Sequence, residues 1–274
     1  MEIEIMSGTG NIFSVIDNRQ YQYSKEWYDK NIQLFVNIQG YSIEGIMVIN
    51  ESLKYEFEVW FFNPDGSSGM MCGNGGRCAV EFAQRHNFTN NSNFFSFKMA
   101  NQIYNATFEG ALISLYLPAP QSIEYNKKII NNSIWYNGDY INVGSDHFVI
   151  NYFDSYFNNF DFYSDNIIKI ASELRYNEKF ERGANINYYK KNNNYYDIRT
   201  FERGVEKITG ACGTGACSTA LSIFNRNPMS NPMKLLAPSG EFLEVEIILD
   251  NKHNIVNFKL TGSAKKIDTL LINI

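Results

Sequence analysis

Two stretches of similar sequence, Met71-Cys72-Gly73-Asn74-Gly75 and Ala211-Cys212-Gly213-Thr214-Gly215, lie about half a chain apart. Each is followed by a run of small and apolar residues that predicts a helix. A cysteine on a glycine turn at a helix start faces unpaired backbone N–H groups and the positive end of the helix dipole, which favour a thiolate. The same N–H groups can hold a carboxylate or a phosphate. The repeated stretch therefore predicts two thiols that work on one substrate.

The elements around the two cysteines repeat in the same order. Alternating and apolar runs predict strands before and after Cys72, at 2–5, 46–49, 55–62, 95–99, 103–108 and 111–117. The same kind of pattern surrounds Cys212, with strands at 140–143, 148–152, 185–189, 195–201, 242–249 and 255–260 and a helix at 166–175. This recurrence indicates a duplicated unit.

Pro118-Ala119-Pro120 breaks the pattern and marks the internal boundary. We predict an α+β protein of two pseudo-symmetric halves, each a curved antiparallel sheet or barrel around a central helix, with the active site in the cleft between them. The last residues, 267–274, are expected to return to the first half as a strand. The halves are then 1–117 plus 263–274, with Cys72, and 118–262, with Cys212.

Composition narrows the class of protein and of partner. The chain has 274 residues, 44% of them hydrophobic, a net charge of −5 and no basic run, which argues against nucleic acid and anionic membranes as partners. No apolar run is long enough to span a membrane, and residues 1–5 lack the apolar core of a signal peptide. We therefore expect a soluble, cytoplasmic protein.

The four cysteines are more consistent with thiols than with a metal site. The spacings from Cys72 to Cys78 and from Cys212 to Cys217 differ from the short Cys-x-x-Cys pairs of common zinc sites, so no metal is predicted. A zinc-binding module remains an alternative, and any single cysteine can also be a small buried hydrophobe. For Cys78 and Cys217, which lie inside the predicted helices, packing is the preferred interpretation.

Seven ordered motifs resemble those of the diaminopimelate epimerase family and cover essentially the whole chain. They are Gly10-Asn11, Asn63-Pro64-Asp65-Gly66-Ser67, Met71-Cys72-Gly73-Asn74-Gly75-Gly76-Arg77-Cys78, Gly144-Ser145-Asp146-His147, Asn185-Ile186-Asn187, Glu202-Arg203-Gly204 and Ala211-Cys212-Gly213-Thr214-Gly215. The resemblance implies an isomerase that inverts one amino-acid centre of LL-diaminopimelate, giving the meso form for lysine and peptidoglycan precursor synthesis. It also implies a reaction without a cofactor.

The residues support this chemistry on their own. Inverting an α-carbon without a cofactor needs a base on one face and an acid on the other, and Cys72 and Cys212 can exchange these roles. Backbone N–H groups of four residues can clamp the substrate's α-carboxylate, at Gly73, Asn74, Gly213 and Thr214. No lysine lies in a motif for a pyridoxal Schiff base and no dinucleotide fingerprint is present, so no cofactor is predicted.

Further site residues follow from the resemblance. His147 and Glu202 match positions that contact the substrate amine region and assist proton transfer. Arg203 can pair bidentately with a distal carboxylate and so argues for a diacid substrate. Three asparagines match positions that hold the substrate: Asn11, Asn63 and Asn185. A structural histidine and a surface ion pair between Glu202 and Arg203 are the alternative interpretations.

Three departures from the family pattern leave the substrate open. Glu44, in Gly40-Tyr41-Ser42-Ile43-Glu44-Gly45, brings a negative charge to a substrate-near position, Ser145-Asp146 replaces Asn-Pro before the histidine, and the link 205–210 differs. A related epimerase or racemase acting on lanthionine, histidine or proline is therefore an alternative. Proline racemases usually carry histidine where Asn74 stands, and relatives of the phenazine-biosynthesis type lack the cysteine pair. A homodimer is compatible with the resemblance, although no residue indicates it.

Overall fold

The computed structural model describes residues 1–88 and 93–274, and strands make up most of its regular structure. The strands are β1 (Glu2–Gly8), β2 (Asn11–Asp17), β3 (Gly45–Asn50), β4 (Phe57–Phe62), β5 (Phe94–Met99), β6 (Gln102–Glu109), β7 (Leu112–Pro118), β8 (Ser122–Asn131), β9 (Ile134–Asn142), β10 (Asp146–Asn151), β11 (Asn185–Lys191), β12 (Tyr196–Phe201), β13 (Met233–Leu236), β14 (Phe242–Leu249), β15 (Ile255–Ser263) and β16 (Lys265–Leu271).

Five α-helices lie between these strands in the described part of the chain. They are α1 (Lys25–Lys30), α2 (Gln33–Val36), α3 (Gly73–Arg85), α4 (Asp165–Leu174) and α5 (Gly213–Arg226). Two 3₁₀ turns occur at Tyr156–Asn159 and Pro228–Ser230. No helix among the described residues combines the length and the apolar character that a membrane crossing requires.

The contacts divide the chain into two units. Unit 1 comprises Met1–Leu117 and Thr261–Ile274, and unit 2 comprises Pro118–Leu260. Unit 1 has the strand order β16-β1-β2-β3-β4-β5-β6-β7. Its last strand, β16, pairs antiparallel with β1, so the expected return of the chain to the first half is confirmed.

Unit 2 has the strand order β8-β9-β10-β11-β12-β13-β14-β15. Taken strand by strand, its pairing directions match those of unit 1. In unit 1, β2 runs parallel to β3 and β4 to β5. The corresponding pairs in unit 2, β10 with β11 and β12 with β13, are also parallel. The duplication that the two cysteine stretches indicate therefore extends to the topology of each sheet.

The prediction of purely antiparallel sheets is wrong, because both sheets are mixed. A parallel pair needs a crossover connection, and helices supply it at each parallel position. Helix α3 joins β4 to β5, and α5 joins β12 to β13. The helices that carry the two cysteines are therefore the crossovers of two βαβ units, a consequence that strand patterns alone do not reveal.

Most predicted strands are confirmed, with ends shifted by a few residues. The strands that were missed are β2, β8, the first part of β9 and β13. Strand β2 is buried along nearly its whole length and begins with Asn11, so it shows no alternation. Strand β8 is largely exposed and rich in polar residues, so no apolar period marks it.

Helix α3 is held against β1 at both of its ends. At its start, Gly8 of β1 comes so close to the helix that a Cβ there would lie 2.5 Å from the carbonyl oxygen of Asn74. At its end, Arg85 donates to the Glu4 carboxylate of β1, with Nη1 to Oε1 at 3.0 Å, and Glu4 is only 4% exposed. The first turn of α3, Gly73, Asn74 and Gly75, is buried as a result.

We expect Gly8→Ala to lower the free energy of unfolding by about 1–3 kcal/mol, because the added methyl group meets backbone that cannot rotate away. Urea denaturation followed by circular dichroism measures the change. The control Ser122→Ala, on an exposed strand, should stay within about 0.5 kcal/mol of the parent protein. Equal stability of the two variants would contradict the close approach of β1 to α3.

Candidate active site

Cys72 is the N-cap residue of α3. Its backbone is extended, with φ −119° and ψ 111°, and its Sγ accepts a hydrogen bond from the N–H of Gly75 at 3.4 Å. This is the geometry in which a cap side chain satisfies one of the unpaired N–H groups of a helix start. The thiol is half-buried, so it lies at the surface of unit 1.

Cys212 repeats this geometry at the start of α5. Its φ is −128° and its ψ is 113°, and its Sγ accepts from the N–H of Gly215, again at 3.4 Å. Glycine is required at this third position, because a Cβ on Gly215 would lie 2.6 Å from Asn187 Nδ2. At Gly75 the nearest atom to such a Cβ is Met47 Sδ, at 3.1 Å. The two sequence stretches thus fold into two equivalent thiol-capped helix starts.

The two thiols differ in their surroundings. Cys212 is buried, and burial together with the negative charge of Glu202 raises its pKa well above the ordinary value. Hydrogen bonds from the N–H of Gly215 and from Thr214 act in the opposite direction, but they are the smaller effects. The expectation that the helix start brings this cysteine close to a thiolate at working pH is therefore wrong for Cys212, which is a thiol.

Glu202 lies in hydrogen-bond contact with the Cys212 thiol. Its carboxylate also accepts a short hydrogen bond from the hydroxyl of Thr209, and its backbone N–H donates to the carbonyl of Lys207 at 3.1 Å. The link 205–210 thus folds back to hold the glutamate beside the cysteine. Glu202 thus lies in contact with the Cys212 thiol, and its part in proton transfer stays a prediction.

A chain of polar contacts runs from Cys212 into the core of unit 2. The Thr214 hydroxyl lies 3.7 Å from Cys212 Sγ and 3.0 Å from His147 Nε2. His147 Nδ1 lies 2.8 Å from Asn187 Oδ1, and Asn187 Nδ2 donates to Thr200 at 2.9 Å. Since Asn187 presents its oxygen to the ring, Nδ1 carries the proton and Nε2 accepts from a hydroxyl.

His147 is fully buried, and both of its ring nitrogens are engaged. Burial lowers its pKa to about 4, and the hydrogen bond with Asn187 offsets this only in part, so the imidazole is neutral at pH 7. The sequence predicts contact with the substrate amine. The structure instead places the ring behind Ser145 and Thr214, whose hydroxyl oxygens lie 2.8 Å and 3.0 Å from Nε2. His147 is thus linked to Cys212 through the Thr214 hydroxyl.

Asn185 and Arg203 lie close together in unit 2, and both make hydrogen bonds to neighbouring protein groups. Asn185 Nδ2 donates to the carbonyl of Asp146 at 2.8 Å, and its Oδ1 accepts from the Arg203 backbone N–H at 2.8 Å. The Arg203 side chain donates through Nη1 to Asp146 Oδ2 at 3.4 Å. The Asn185 amide therefore bonds to protein groups on both sides, and its predicted contact with the substrate stays a prediction.

Sequence reasoning missed two charged residues at this position. Asp146 is 2% exposed and receives hydrogen bonds from Tyr140 and Asn142, both at 2.7 Å. Arg182, whose side chain is 68% exposed, also pairs with Asp146, at 3.2 Å. An aspartate directly before a buried histidine was a usable signal for a buried charge, whereas Arg182 lies in a loop and carried none.

The predicted residues of unit 1 make separate, local contacts. Asn11 Nδ2 donates to Glu44 Oε2 at 2.8 Å, and Asn11 Oδ1 is buried with no hydrogen-bond partner among the described residues. Asn74 Oδ1 accepts from Arg77 Nη2 at 2.7 Å. Asn63 donates to Ser67 within its own turn, at 2.8 Å.

The remaining cysteines are buried inside the helices, as predicted. Cys78 and Cys217 are fully buried, and burial raises the pKa of Cys78 far above its ordinary value. Across residues 1–88 and 93–274, no three His, Cys, Asp or Glu side chains are grouped as a metal ion would require.

The buried, neutral state of His147 predicts a pH dependence of stability. Because its pKa falls from 6.5 to about 4 on folding, the unfolded chain binds the proton more readily. The contribution of His147 is fully present above pH 6.5 and is lost as the pH falls toward 4, by about 3 kcal/mol at most. The variant His147→Gln should lose correspondingly less stability over this range in urea titrations, whereas His253→Gln, at an exposed position, should follow the parent protein. Parallel curves for all three proteins would contradict the assignment.

The effect of Glu202 on Cys212 can be measured by alkylation. Removing its charge in Glu202→Gln lowers the pKa of Cys212, so iodoacetamide at pH 8 should label Cys212 about tenfold faster than in the parent protein. Peptide mapping by mass spectrometry gives the rate at each cysteine. The control Glu178→Gln, on an exposed side chain of the same unit, should leave the rate unchanged. Slower labelling in Glu202→Gln would show that the carboxylate does not raise the pKa of the thiol.

Comparison with known proteins places this geometry in a family. The diaminopimelate epimerase family model matches residues 3–103. The chain is 32% identical to the diaminopimelate epimerase of Aquifex aeolicus, over 97% of this chain and 96% of the relative. It is 30% identical to that of Flavobacterium psychrophilum, over 97% of each chain.

Solved structures with the same fold are more distant in sequence. A phenazine biosynthesis protein of the PhzF family from Bacillus anthracis has a TM-score of 0.77 at 11% identity and covers 100% of this chain and 99% of its own. A hydroxyproline epimerase from Agrobacterium vitis has a TM-score of 0.73 at 12% identity, covering 98% of this chain and 91% of its own. These likenesses show the α+β fold, and the sequence relatives show more: the chain belongs to the diaminopimelate epimerase family, a family of isomerases.

Proposed function

We propose that this chain converts LL-diaminopimelate to the meso form by removing and returning the proton of one α-carbon, with Cys72 and Cys212 as the two acid–base groups. Family membership supports the reaction, since relatives that align with nearly the whole chain are named diaminopimelate epimerase. The alternative of a racemase for another amino acid rests on the departures at Glu44, Ser145-Asp146 and 205–210, and on fold likeness to a hydroxyproline epimerase at 12% identity. The place of the reaction is then lysine and peptidoglycan precursor synthesis.

The observation that carries the proposal is the equivalent capping of α3 and α5 by cysteine. In each case Sγ lies 3.4 Å from the third N–H of the helix, and the first helical residues are glycine followed by Asn74 or Thr214. The remaining N–H groups of each helix start are donors for a carboxylate. A carboxylate held there would be stabilised as charge develops on it when the α-proton leaves.

The roles of the two thiols follow from their protonation. Cys212 is a thiol because burial and Glu202 raise its pKa, so it is the group that gives a proton to the α-carbon. Cys72, half-buried at the start of α3, then removes the α-proton as a thiolate from the other face. One S–H bond breaks at Cys212 as one forms at Cys72, so the reaction leaves the pair with its proton exchanged. The pair is reset when Cys72 releases its proton to solvent and Cys212 takes one up from solvent, with the Glu202 carboxylate, in contact with Cys212, as the relay for that proton.

Thr214, His147 and Asn187 orient this acid. The Asn187 amide fixes the tautomer of His147, and His147 Nε2 accepts a hydroxyl proton at the position of Thr214 and Ser145. Because His147 is fully buried and both of its ring nitrogens are engaged by protein groups, we place it behind the reacting groups and not at the α-carbon. It holds the Thr214 hydroxyl beside the Cys212 sulfur atom, so its role is to position the acid and not to transfer a proton.

Charged and polar side chains in each unit suit a substrate with several charged groups. In unit 2, Arg203 offers a guanidinium for a carboxylate far from the reacting carbon. In unit 1, the buried Oδ1 of Asn11 is an acceptor for an ammonium group, and the Glu44 carboxylate lies 2.8 Å from the same side chain. A molecule with two carboxylates and two ammonium groups uses both kinds of contact.

The proposed reaction sets conditions on the cellular location of the protein and on its partners. Both thiols must stay reduced, which favours a cytoplasmic location. The substrate is a free amino acid, so no macromolecular partner is needed for chemistry. Assembly into a homodimer is compatible with this proposal.

Exchange of the α-hydrogen with solvent deuterium tests the proposal. In D₂O, proton NMR should show loss of the α-proton signal of LL-diaminopimelate with the parent protein. Cys72→Ala and Cys212→Ala should each lower the rate of epimerisation with deuterium uptake by at least about 10³-fold, because one face of the α-carbon then has no acid or base.

Cys78→Ala and Cys217→Ala are matched controls, because each removes a thiol that is buried inside the same two helices. Both should retain exchange at parent-like rates. Full epimerisation in either Cys72→Ala or Cys212→Ala would refute the two-thiol assignment. The same assay is run with lanthionine, proline and histidine. If only proline or histidine exchanged its α-hydrogen, the assignment of diaminopimelate as the substrate would be wrong.

A further inference from the structure

Asp146 is a buried carboxylate shared by two arginines. Its side chain is 3% exposed and lies 3.2 Å from Arg182 Nη2 and 3.4 Å from Arg203 Nη1. Tyr140 and Asn142 donate to the same carboxylate, both at 2.7 Å. An acid with four donors is held in one orientation, and it holds the two guanidinium groups in turn.

The charges in this group do not cancel. Burial acts to raise the pKa of Asp146, but the hydrogen bond from Tyr140 and the charge of Arg182 outweigh it, and the pKa stays below its ordinary value. One negative charge therefore faces two positive charges. The side chains of Arg182 and Arg203 are 68% and 33% exposed, so the excess positive charge is presented to solvent.

Both guanidinium groups keep donors for a ligand. Arg203 uses Nη1 for Asp146 and for the carbonyls of Arg182 and Gly183, at 3.1 Å and 3.5 Å. Arg182 uses Nη2 for Asp146. Among the described residues, the other nitrogens of the two guanidinium groups have no hydrogen-bond acceptor. A pair of such forks suits the planar oxygens of a carboxylate.

The pair belongs to the same contact network as Cys212. Asp146 lies between Ser145 and His147, and both of these contact the Thr214 hydroxyl, at 3.2 Å and 3.0 Å. Asn185 joins the Asp146 carbonyl to the Arg203 backbone. A shift in the position of Asp146 would therefore act on both the cation pair and the residues that hold the acid.

We propose that Arg182 is a specificity-determining residue, which binds the far carboxylate of a diacid substrate together with Arg203 while Asp146 fixes both side chains. This inference rests on the proposed function, which supplies a substrate with a second carboxylate. The resemblance points to Arg203 alone. The structure adds Arg182, which shares the Asp146 carboxylate with Arg203. Both Asp146 and the neighbouring Ser145 depart from the family pattern.

The test compares substrates that differ only at the far end. LL-diaminopimelate and L-2-aminopimelate carry the far carboxylate, whereas L-lysine, used as a competitive inhibitor of exchange, has only the far amine. We expect Arg182→Gln to raise KM about tenfold for the two diacids, with kcat changed less than about threefold and the inhibition constant of L-lysine unchanged. Arg182→Lys, which keeps the charge without the fork, should recover part of the loss.

Lys179→Gln is the matched control, because it removes the same charge from an exposed position in the same loop region. It should leave every constant at the parent value. Equal losses in Lys179→Gln and Arg182→Gln would reduce the effect to net charge and overturn the proposal. Unchanged KM for both diacids in Arg182→Gln would overturn it as well.

Calorimetric titration with pimelate, which has two carboxylates but no amino group and no stereogenic α-carbon to invert, separates this inference from the proposed reaction. Binding to the parent protein that weakens about tenfold in Arg182→Gln supports the carboxylate site, even if no amino acid exchanges its proton. Equal binding to both proteins overturns the site, even if the parent protein epimerises diaminopimelate. Arg182→Gln and Arg182→Lys should unfold thermally at the same temperature as the parent protein, because the Arg182 side chain is 68% exposed.

Discussion

The start of a buried helix imposes the constraint from which the rest of this structure follows. Its first N–H groups have no partner within the helix, so something else must accept their hydrogen bonds. In α3 and α5 a cysteine thiol accepts one of them, and glycines let surrounding groups approach the turn. In the proposed function, backbone N–H groups of the same two turns hold the substrate's carboxylate, so one constraint serves both the sulfur atom and the anion.

Burial and charge then make the two equivalent starts different. At Cys212, burial and Glu202 together outweigh the helix start and keep the proton on sulfur. Burial lowers the pKa of the nearby His147, so its imidazole loses its proton and, like the thiol, is uncharged. A neutral ring, a hydroxyl and a protonated thiol can pack closely, because none of them carries a charge that would need water. Pseudo-symmetric sequences thus yield one thiol in a polar, enclosed setting and one that is open at the surface.

The sequence predicted much of this arrangement, for physical reasons that can be named. Regular alternation located most strands, and the glycine turns located both cysteine caps. Parallel pairing was missed because strand pattern says nothing about direction, and β8 was missed because an exposed strand has no apolar period. In the site, Arg182 and Asp146 meet only through tertiary packing. The burial of His147 likewise depends on neighbours from other strands, so a motif could locate the residue but not its contacts.

The pairing of β16 with β1 has a consequence for how the protein is made. Unit 2 is one continuous segment, Pro118–Leu260, whereas unit 1 needs residues from both sides of it. During synthesis from the N-terminus, β1 leaves the ribosome long before β16 exists, so its outer edge waits without its final neighbour. The continuous unit can gain its contacts as soon as it emerges. Unit 1, which carries Cys72, can therefore complete its fold only late in synthesis, when β16 has been translated.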